Sequence, residues 1–297
     1  MNDAAARPRL FCFGLGYSAG RLAKTLLAEG WRVAGTTRTA AGQAHLAAEG
    51  IDAYRFAGEA PMADAAGVLD GVTHLLISAP PGADGDPVLV HHERDVLAIE
   101  SLRWVGYLST TGVYGDTLGA QVDENAPLSP TSARSRHRVE AEAAWLRLAR
   151  DRGLPAHVFR LAGIYGPGRS AIDQARNGQA RRIDKPGHLF SRIHVDDIAN
   201  ALRASMARPN PGRVYNVCDD APAAAADVAL YACELLGIAP PDPVPFEEAR
   251  LRMSPMALSF WRDNRRVSNR RIHDELGVAL KYPDYRAGLR AVLLDGG

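Results

Sequence analysis

Apolar runs of four to six residues alternate with longer stretches of helical periodicity along the first two thirds of the chain. The pattern predicts strands at RLFCF (9–13), WRVAGT (31–36), DAYRF (52–56), THLLIS (73–78), RWVGYLS (103–109) and AHVFRL (156–161). Between them the periodicity predicts helices over 17–29, 40–49, 87–101 and 133–152. Strands that alternate with helices predict βαβ units, and hence an α/β fold with a doubly wound parallel sheet. The unbroken apolar character of HLLIS and WVGYLS fits strands buried on both faces. Residues 166–190, rich in glycine and arginine, break the rhythm. After them come a strand at SRIHV (191–195), a helix from Asp196, as its N-cap, to about Ala207, and a strand at RVYNV (213–217). The alanine run at 223–226 opens a helix to about 237, and the proline-rich 238–246 reads as a loop. The expected division is a sheet domain of 1–165 plus 191–217, and a smaller C-terminal domain of 166–190 plus 218–297.

The first strand–helix junction reads GLGYSAG, with Gly14, Gly16 and Ala19 at dinucleotide-binding spacing. Gly14 permits a tight turn, Gly16 lets the backbone approach a pyrophosphate, and Ala19 lets the helix pack closely on the strand. The helix N-terminus, with Tyr17 and Ser18 in its first turn, offers free N–H groups and partial positive charge to phosphate. A glycine turn serving packing alone is the plainer alternative. The next strand ends AGTTRT, with Thr36, Thr37 and Arg38 where an NAD site usually carries an acid. A carboxylate there would repel a 2′-phosphate, whereas Arg38 can grip one through two hydrogen bonds and Thr37 can add a hydroxyl. The expected cofactor is therefore NADP(H), with NAD(H) as the alternative. The plainer reading of Arg38 is a solvated residue at a strand end.

Composition changes this picture little. The 297 residues are 46% hydrophobic and 23% charged with a formal net charge of +1, which gives no reason to expect a nucleic-acid or membrane partner. No apolar stretch reaches the ~18 residues of a spanning helix, and MNDAAARPRL lacks the apolar core of a leader peptide. Cys12, Cys218 and Cys233 have no metal-ligand spacing and suit a reducing, cytoplasmic setting, with no metal expected.

Farther along, STTGVYGD (109–116) resembles the Ser-Ser-x-x-Val-Tyr-Gly element of the extended short-chain dehydrogenases/reductases, the group of NAD-dependent epimerases and dehydratases. The resemblance continues through VDENAPLSP (122–130), FRLAGIYGPG (159–168), SRIHVDDIANAL (191–202), VYNVCDD (214–220) and NRRVSNRRIHDELG (264–277), in the family's order. GLGYSAG and ISAPP (77–81) look like its atypical branch, and the likeness implies cofactor contacts at Ser78, Ala79 and Pro80. It implies a Rossmann fold and a Thr110 hydroxyl beside the substrate oxygen. It also implies a Tyr-x-x-x-Lys pair on the next helix, and here the chain departs from it. Aligned on VEAE (139–142), Ser132 takes the tyrosine position and Arg136 the lysine position; shifted by one residue, Thr131 and Ser135 do. An aliphatic hydroxyl is a poor proton donor, and a guanidinium stays charged, so Arg136 could hold a ribose but could not shuttle a proton. Tyr114, Tyr165 and His137 are the candidate stand-ins, with aromatic packing under glycine turns as the plainer reading of the two tyrosines.

Other residues admit plainer readings. Ser132 fits a helix cap and His194 a buried turn; His91 and His92 are adjacent and face apart. Arg265, Arg266, Arg270 and Arg271 border the substrate pocket by resemblance, or form a solvated face; Arg169, Arg181 and Arg182 bias a pocket mouth toward an anionic ligand. The resulting expectation is an NADP-dependent oxidoreductase or epimerase-like enzyme acting on a small polar metabolite. The rival is a non-catalytic NADP(H)-binding sensor or scaffold, and a nucleotide-sugar epimerase comes third. The resemblance also implies a homodimer through the helices at 87–101 and 133–152.

Overall fold

A computed structural model describes residues 7–295; the first six residues, on which the reading of the leader partly rests, lie outside the described residues. The elements run β1 (Arg9–Phe13), α1 (Tyr17–Ala28), β2 (Arg32–Thr37), α2 (Ala40–Ala48), β3 (Asp52–Arg55), α3 (Ala65–Leu69), β4 (His74–Ile77), α4 (Pro87–Leu97) and β5 (Trp104–Thr110). They continue with β6 (Gln121–Val122), α5 (Ala133–Arg152), β7 (Ala156–Leu161), β8 (Gly163–Tyr165), α6 (Ala171–Arg176), β9 (Arg182–Asp184), β10 (Arg192–His194), α7 (Val195–Ala207) and β11 (Val214–Val217). The chain closes with α8 (Ala225–Leu236), β12 (Pro243–Pro245), α9 (Phe246–Ala249), α10 (Pro255–Arg262), β13 (Arg266–Val267), α11 (Arg270–Leu276) and α12 (Tyr285–Asp295).

Seven strands form one sheet in the order β11-β7-β5-β4-β1-β2-β3. The pairs β1–β2, β2–β3, β1–β4 and β4–β5 are parallel, so the doubly wound sheet expected from the alternating pattern is present. β1 is buried along its whole length, its apolar run Leu10–Phe13 led by a buried Arg9. Helix ends match the signals that set them. Asp86 accepts from the amides of Val88 and Leu89 ahead of Pro87 in α4, and Thr39 accepts from Gly42 at the start of α2. α4 ends at Leu97, four residues short of the predicted 101. α7 begins at Val195, so Asp196 sits in its first turn rather than capping it.

The chain divides into two compact units, 7–109 with 136–160 and 199–215, and 110–135 with 161–198 and 216–295. The second unit thus takes 110–135, 161–165, 191–198 and 216–217, which the sequence pattern groups with the sheet. Among the described residues no helix is long and apolar enough to cross a membrane.

The first unit's core includes Phe11, Phe13, Leu75, Ile77, Tyr107 and Trp145, packed between sheet and helices. Two histidines are buried at its edge. His157 has its Nδ1 3.1 Å from the carbonyl of Val105, while its Nε2 accepts from the amide of Asn210 at 2.8 Å. That pairing fixes the neutral tautomer, and burial pulls the pKa of His157 down to about 4. Burial, with Arg103 nearby, does the same for His74, also to about 4. Because the unfolded state binds the proton first, the stability these rings contribute is present above pH ~6.5 and lost as pH falls toward ~4. Denaturant unfolding at pH 7 and pH 5 should show a loss in the acid to which His157 alone contributes ~2 kcal/mol. His157→Gln should lower stability at pH 7 and flatten the dependence; an unchanged dependence would assign the acid loss elsewhere.

Candidate functional site

In the first unit, β1 delivers the glycine turn to the crossover of the sheet, where the strand order reverses between β1 and β4. Phe13, the last residue of β1, accepts from the amides of Ser78 and Ala79, both at 2.9 Å, so the end of β4 lies directly against the turn. Gly14 sits at φ +89°, and a Cβ there would stand 3.0 Å from the Ala79 nitrogen and 3.3 Å from the Ser78 carbonyl carbon. Only glycine meets both conditions. Thr36 pins the turn to β2: its hydroxyl accepts from Gly14 N and its carbonyl from Leu15 N, each at 2.9 Å. Thr36 belongs to the motif in the sequence, but nothing in the pattern revealed this role.

Gly16 is the N-cap of α1, and a Cβ built on it would meet nothing within 4 Å, so the ground before the helix is open. The first turn of α1 carries no acid; Ala19 is buried, as close packing on the strand requires, and Ser18 is buried beside it. A helix N-terminus with open space before it, at the crossover of a parallel sheet, fits a pyrophosphate. Beyond them, Thr37 is half-buried and Arg38 is exposed. A Cβ at Gly42 would fall 2.4 Å from the Thr37 hydroxyl oxygen, so this glycine leaves the hydroxyl its place against α2.

The contacts of α5 show which of its faces meets β5. Its face toward β5 is marked by Glu142, only 2% exposed, which accepts from the Ser109 hydroxyl and from Arg160 Nη2 at 2.8 Å. One turn earlier, Arg138 donates to the Leu108 carbonyl and lies 3.3 Å from the Tyr107 hydroxyl. The basic residue at the end of β5 is therefore Arg138, while Arg136 is exposed. Ser132 caps the helix, accepting from Ser135 N at 3.1 Å and donating to its hydroxyl at 2.9 Å. Thr131 donates to both oxygens of Asp263, at 2.8 and 3.0 Å. None of these residues is a tyrosine or a lysine in either register. The Ser109–Glu142–Arg160 network escaped the sequence reading, although Arg160 lies inside one of the quoted motifs.

The second unit holds a cavity of about 1130 Å³. Thr110, Tyr165, Arg169, Arg192, Trp261 and Arg265 are among its lining residues. Thr110, the last residue of β5, uses its hydroxyl to accept from Gly112 N at 3.1 Å. Tyr165 donates from its hydroxyl to the Asp284 carbonyl at 3.4 Å, and its ring meets the buried His194 edge-on at 5.2 Å. Burial and the carboxylates of Asp219, Asp197 and Asp284 push the Tyr165 phenol far up, so it keeps its proton. Tyr114 is elsewhere: it is 1% exposed, outside the cavity wall, and donates to Asn216 Oδ1 at 2.7 Å.

His194 accepts from Asp196 N at 3.2 Å, the turn-anchoring role expected of it. Asp197 holds the amides of Lys281 and Tyr282 at 2.7 and 2.9 Å, a clamp absent from the sequence reading. Of the four C-terminal arginines only Arg265 lines the cavity; it is held by Asp263 and the Gly115 carbonyl. Arg266 reaches the Gly119 carbonyl, Arg270 pairs with Asp274, and Arg271 meets Asn125. Arg169 and Arg181 line the cavity, but Arg182 turns to the Pro241 carbonyl.

Comparison to known proteins shows which family the chain belongs to. The model of the NAD dependent epimerase/dehydratase family matches residues 14–218. The chain belongs to this family. Its Rossmann sheet and NAD(P)-binding character are those of the family. Protein YeeZ of Escherichia coli K12 is 30% identical over 281 residues, covering 91% of this chain and 95% of YeeZ. A structure from Silicibacter pomeroyi, described as a functionally unknown conserved protein, is 52% identical with a TM-score of 0.89, over 97% of this chain and 99% of that one. The dTDP-glucose 4,6-dehydratase of Bacillus anthracis, solved in complex with NAD, shares the fold at 17% identity and a TM-score of 0.76, over 97% and 96% of the two chains.

The position of Tyr165 within the second unit depends on a glycine of α12. A Cβ at Gly288 would fall 2.0 Å from the Tyr165 hydroxyl oxygen and 2.6 Å from the ring carbon that bears it. Gly288→Ala should therefore cost ~1–3 kcal/mol in denaturant unfolding. Adding Tyr165→Phe, which removes the clashing oxygen, should return part of that loss, giving a non-additive double-mutant cycle. Strict additivity would show that the two residues do not meet.

Proposed function

We propose that this family member is an NADP-dependent oxidoreductase or epimerase-like enzyme of the atypical extended short-chain dehydrogenase type, acting on a small, polar, anionic metabolite. The observation that carries the cofactor choice is the end of β2: Thr37 half-buried, Arg38 exposed, and no carboxylate among residues 36–42. The residues that would hold the dinucleotide are Gly14 and Gly16, with Tyr17, Ser18 and Ala19 of α1 below the pyrophosphate. Ser78, Ala79 and Pro80 would flank it after β4, and Thr37 and Arg38 would take the 2′-phosphate. When bound, the nicotinamide supplies hydride transfer.

Thr110 is the residue proposed to donate to a carbonyl or hydroxyl oxygen in the cavity, its lone pair being already occupied by Gly112 N. Tyr165, which keeps its proton, fits a hydrogen-bond donor rather than a base. Arg169, Arg181 and Arg192 on the cavity wall support an anionic substrate. One observation favours the non-catalytic reading, an NADP(H)-responsive sensor: α5 carries neither the tyrosine nor the lysine of the family's pair.

A fluorescence titration with NADPH and NADH, on the wild type and Arg38→Ala, tests the cofactor. Loss of a charge-assisted two-point contact should weaken NADPH by ~10–100-fold and NADH by less than ~3-fold. Equal loss of both would overturn the NADP reading. Consumption of NADPH over a panel of carbonyl metabolites, abolished by Thr110→Ala, would separate the enzyme from the sensor.

A further inference from the structure

Arg192 is anchored in the cavity wall through one nitrogen: its Nη1 donates to the carbonyls of Phe190 and Ala223, each at 2.9 Å. Both partners are neutral main-chain groups, and the Nε/Nη2 edge, the one suited to a two-oxygen grip, is engaged by neither. The Phe190 ring lies under the guanidinium, whose carbon is 5.6 Å from the ring centroid.

The groups acting on this guanidinium are Asp219, Asp227 of α8, and the phenols of Tyr165 and Tyr285. Asp219 is the unusual member. It is 2% exposed, and neither carboxylate oxygen receives a hydrogen bond of ordinary geometry. The amides of Ala221 and Arg192 only soften the cost of its burial, which lifts its pKa to about 8 against the pull of the Arg192 charge. Asp220 pushes in the same direction as burial. Tyr165 and Cys218 also face Asp219, and both are held neutral; Asp197 and Asp284 act on Tyr165, and Asp220 and Glu124 on Cys218. A buried carboxylate without a hydrogen bond of ordinary geometry and an arginine with one open edge thus share one positive charge.

We propose that Arg192 receives an oxyanion of the ligand, carboxylate or phosphate in type, and that Asp219 is its internal counter-charge, so that the ligand binds together with a proton from solvent taken up by Asp219. An incoming anion and an ionised Asp219 compete for the same guanidinium. Each therefore weakens the other, and by linkage the effect is reciprocal. This rests on the anionic-ligand part of the reading above; its test needs neither nucleotide nor turnover, so either can fail alone.

Sulfate is the probe, since its charge is constant over the range used, with acetate in a parallel arm to tell a carboxylate site from a tetrahedral one. Binding to the full chain is followed by the fluorescence of Trp261, which lines the cavity, and by calorimetry in buffers of different ionisation enthalpy. Wild-type affinity for the preferred anion should be level below pH ~7 and fall ~10-fold by pH ~9, with proton uptake growing over the same interval. Asp219→Asn should bind with the pH 7 affinity throughout and take up no proton. Arg192→Met should lose binding at every pH. Proton uptake by the wild type alone keeps the test open should Asp219→Asn fail to fold. Unaltered binding in Arg192→Met, a pH dependence that survives Asp219→Asn, or binding of neither anion at pH 7 would each overturn the proposal.

Discussion

The contact between Gly14 and the main chain at Ser78–Ala79 is the constraint on which the first unit depends. A parallel sheet that winds outward in both directions from β1 and β4 leaves a crevice where those strands end, and that crevice must be closed by backbone without side chains. Here Phe13 accepts from two consecutive amides of the neighbouring strand end, and Thr36 ties the same turn to β2. Three strand ends are thus locked around one residue whose φ and whose missing Cβ are both required. The exposed Arg38 and the open N-terminus of α1 follow from that closure, because they are the next groups along two of the locked segments.

Local pattern made most of this unit legible. Unbroken apolar runs located the central strands, the glycine spacing located the turn, and α5 spans Ala133–Arg152 as its periodicity predicted. The register of α5 against β5 was less accessible. VEAE offers two carboxylates and no indication of which is buried; only the packing shows that Glu142 meets Ser109 and Arg160, and hence that Arg138, one turn earlier, faces the strand. A shift of two positions on a helix moves a side chain by about 200°, enough to exchange a buried role for an exposed one.

The second unit was harder to read because its decisive contacts join residues far apart in the chain. Thr131 meets Asp263, Asp197 clamps Lys281 and Tyr282, and Gly288 makes room for Tyr165. No periodicity marks such pairs. The same holds for the arginines: the resemblance placed four C-terminal arginines at the pocket, yet Arg266, Arg270 and Arg271 are drawn off by other partners while Arg192, on a short strand, lines the wall. A charge on the cavity wall is left by subtraction, after neighbouring acids and carbonyls have taken theirs.

The division of the chain also bears on how the molecule is made. The first unit is built from three separate segments, the last of them 199–215, and two of its seven strands, β7 and β11, lie beyond residue 155. During synthesis its sheet cannot be completed until the residues through Val217 have left the ribosome. Until β7 emerges, β5, destined for burial between neighbours, presents an unpaired edge to solvent, and from then until β11 follows the open edge is that of β7. Closing loops of this length before any pairing rewards them makes the search slow and exposes the intermediate to association. A chain truncated before β11 would carry the complete glycine turn and still lack the outermost strand beside β7.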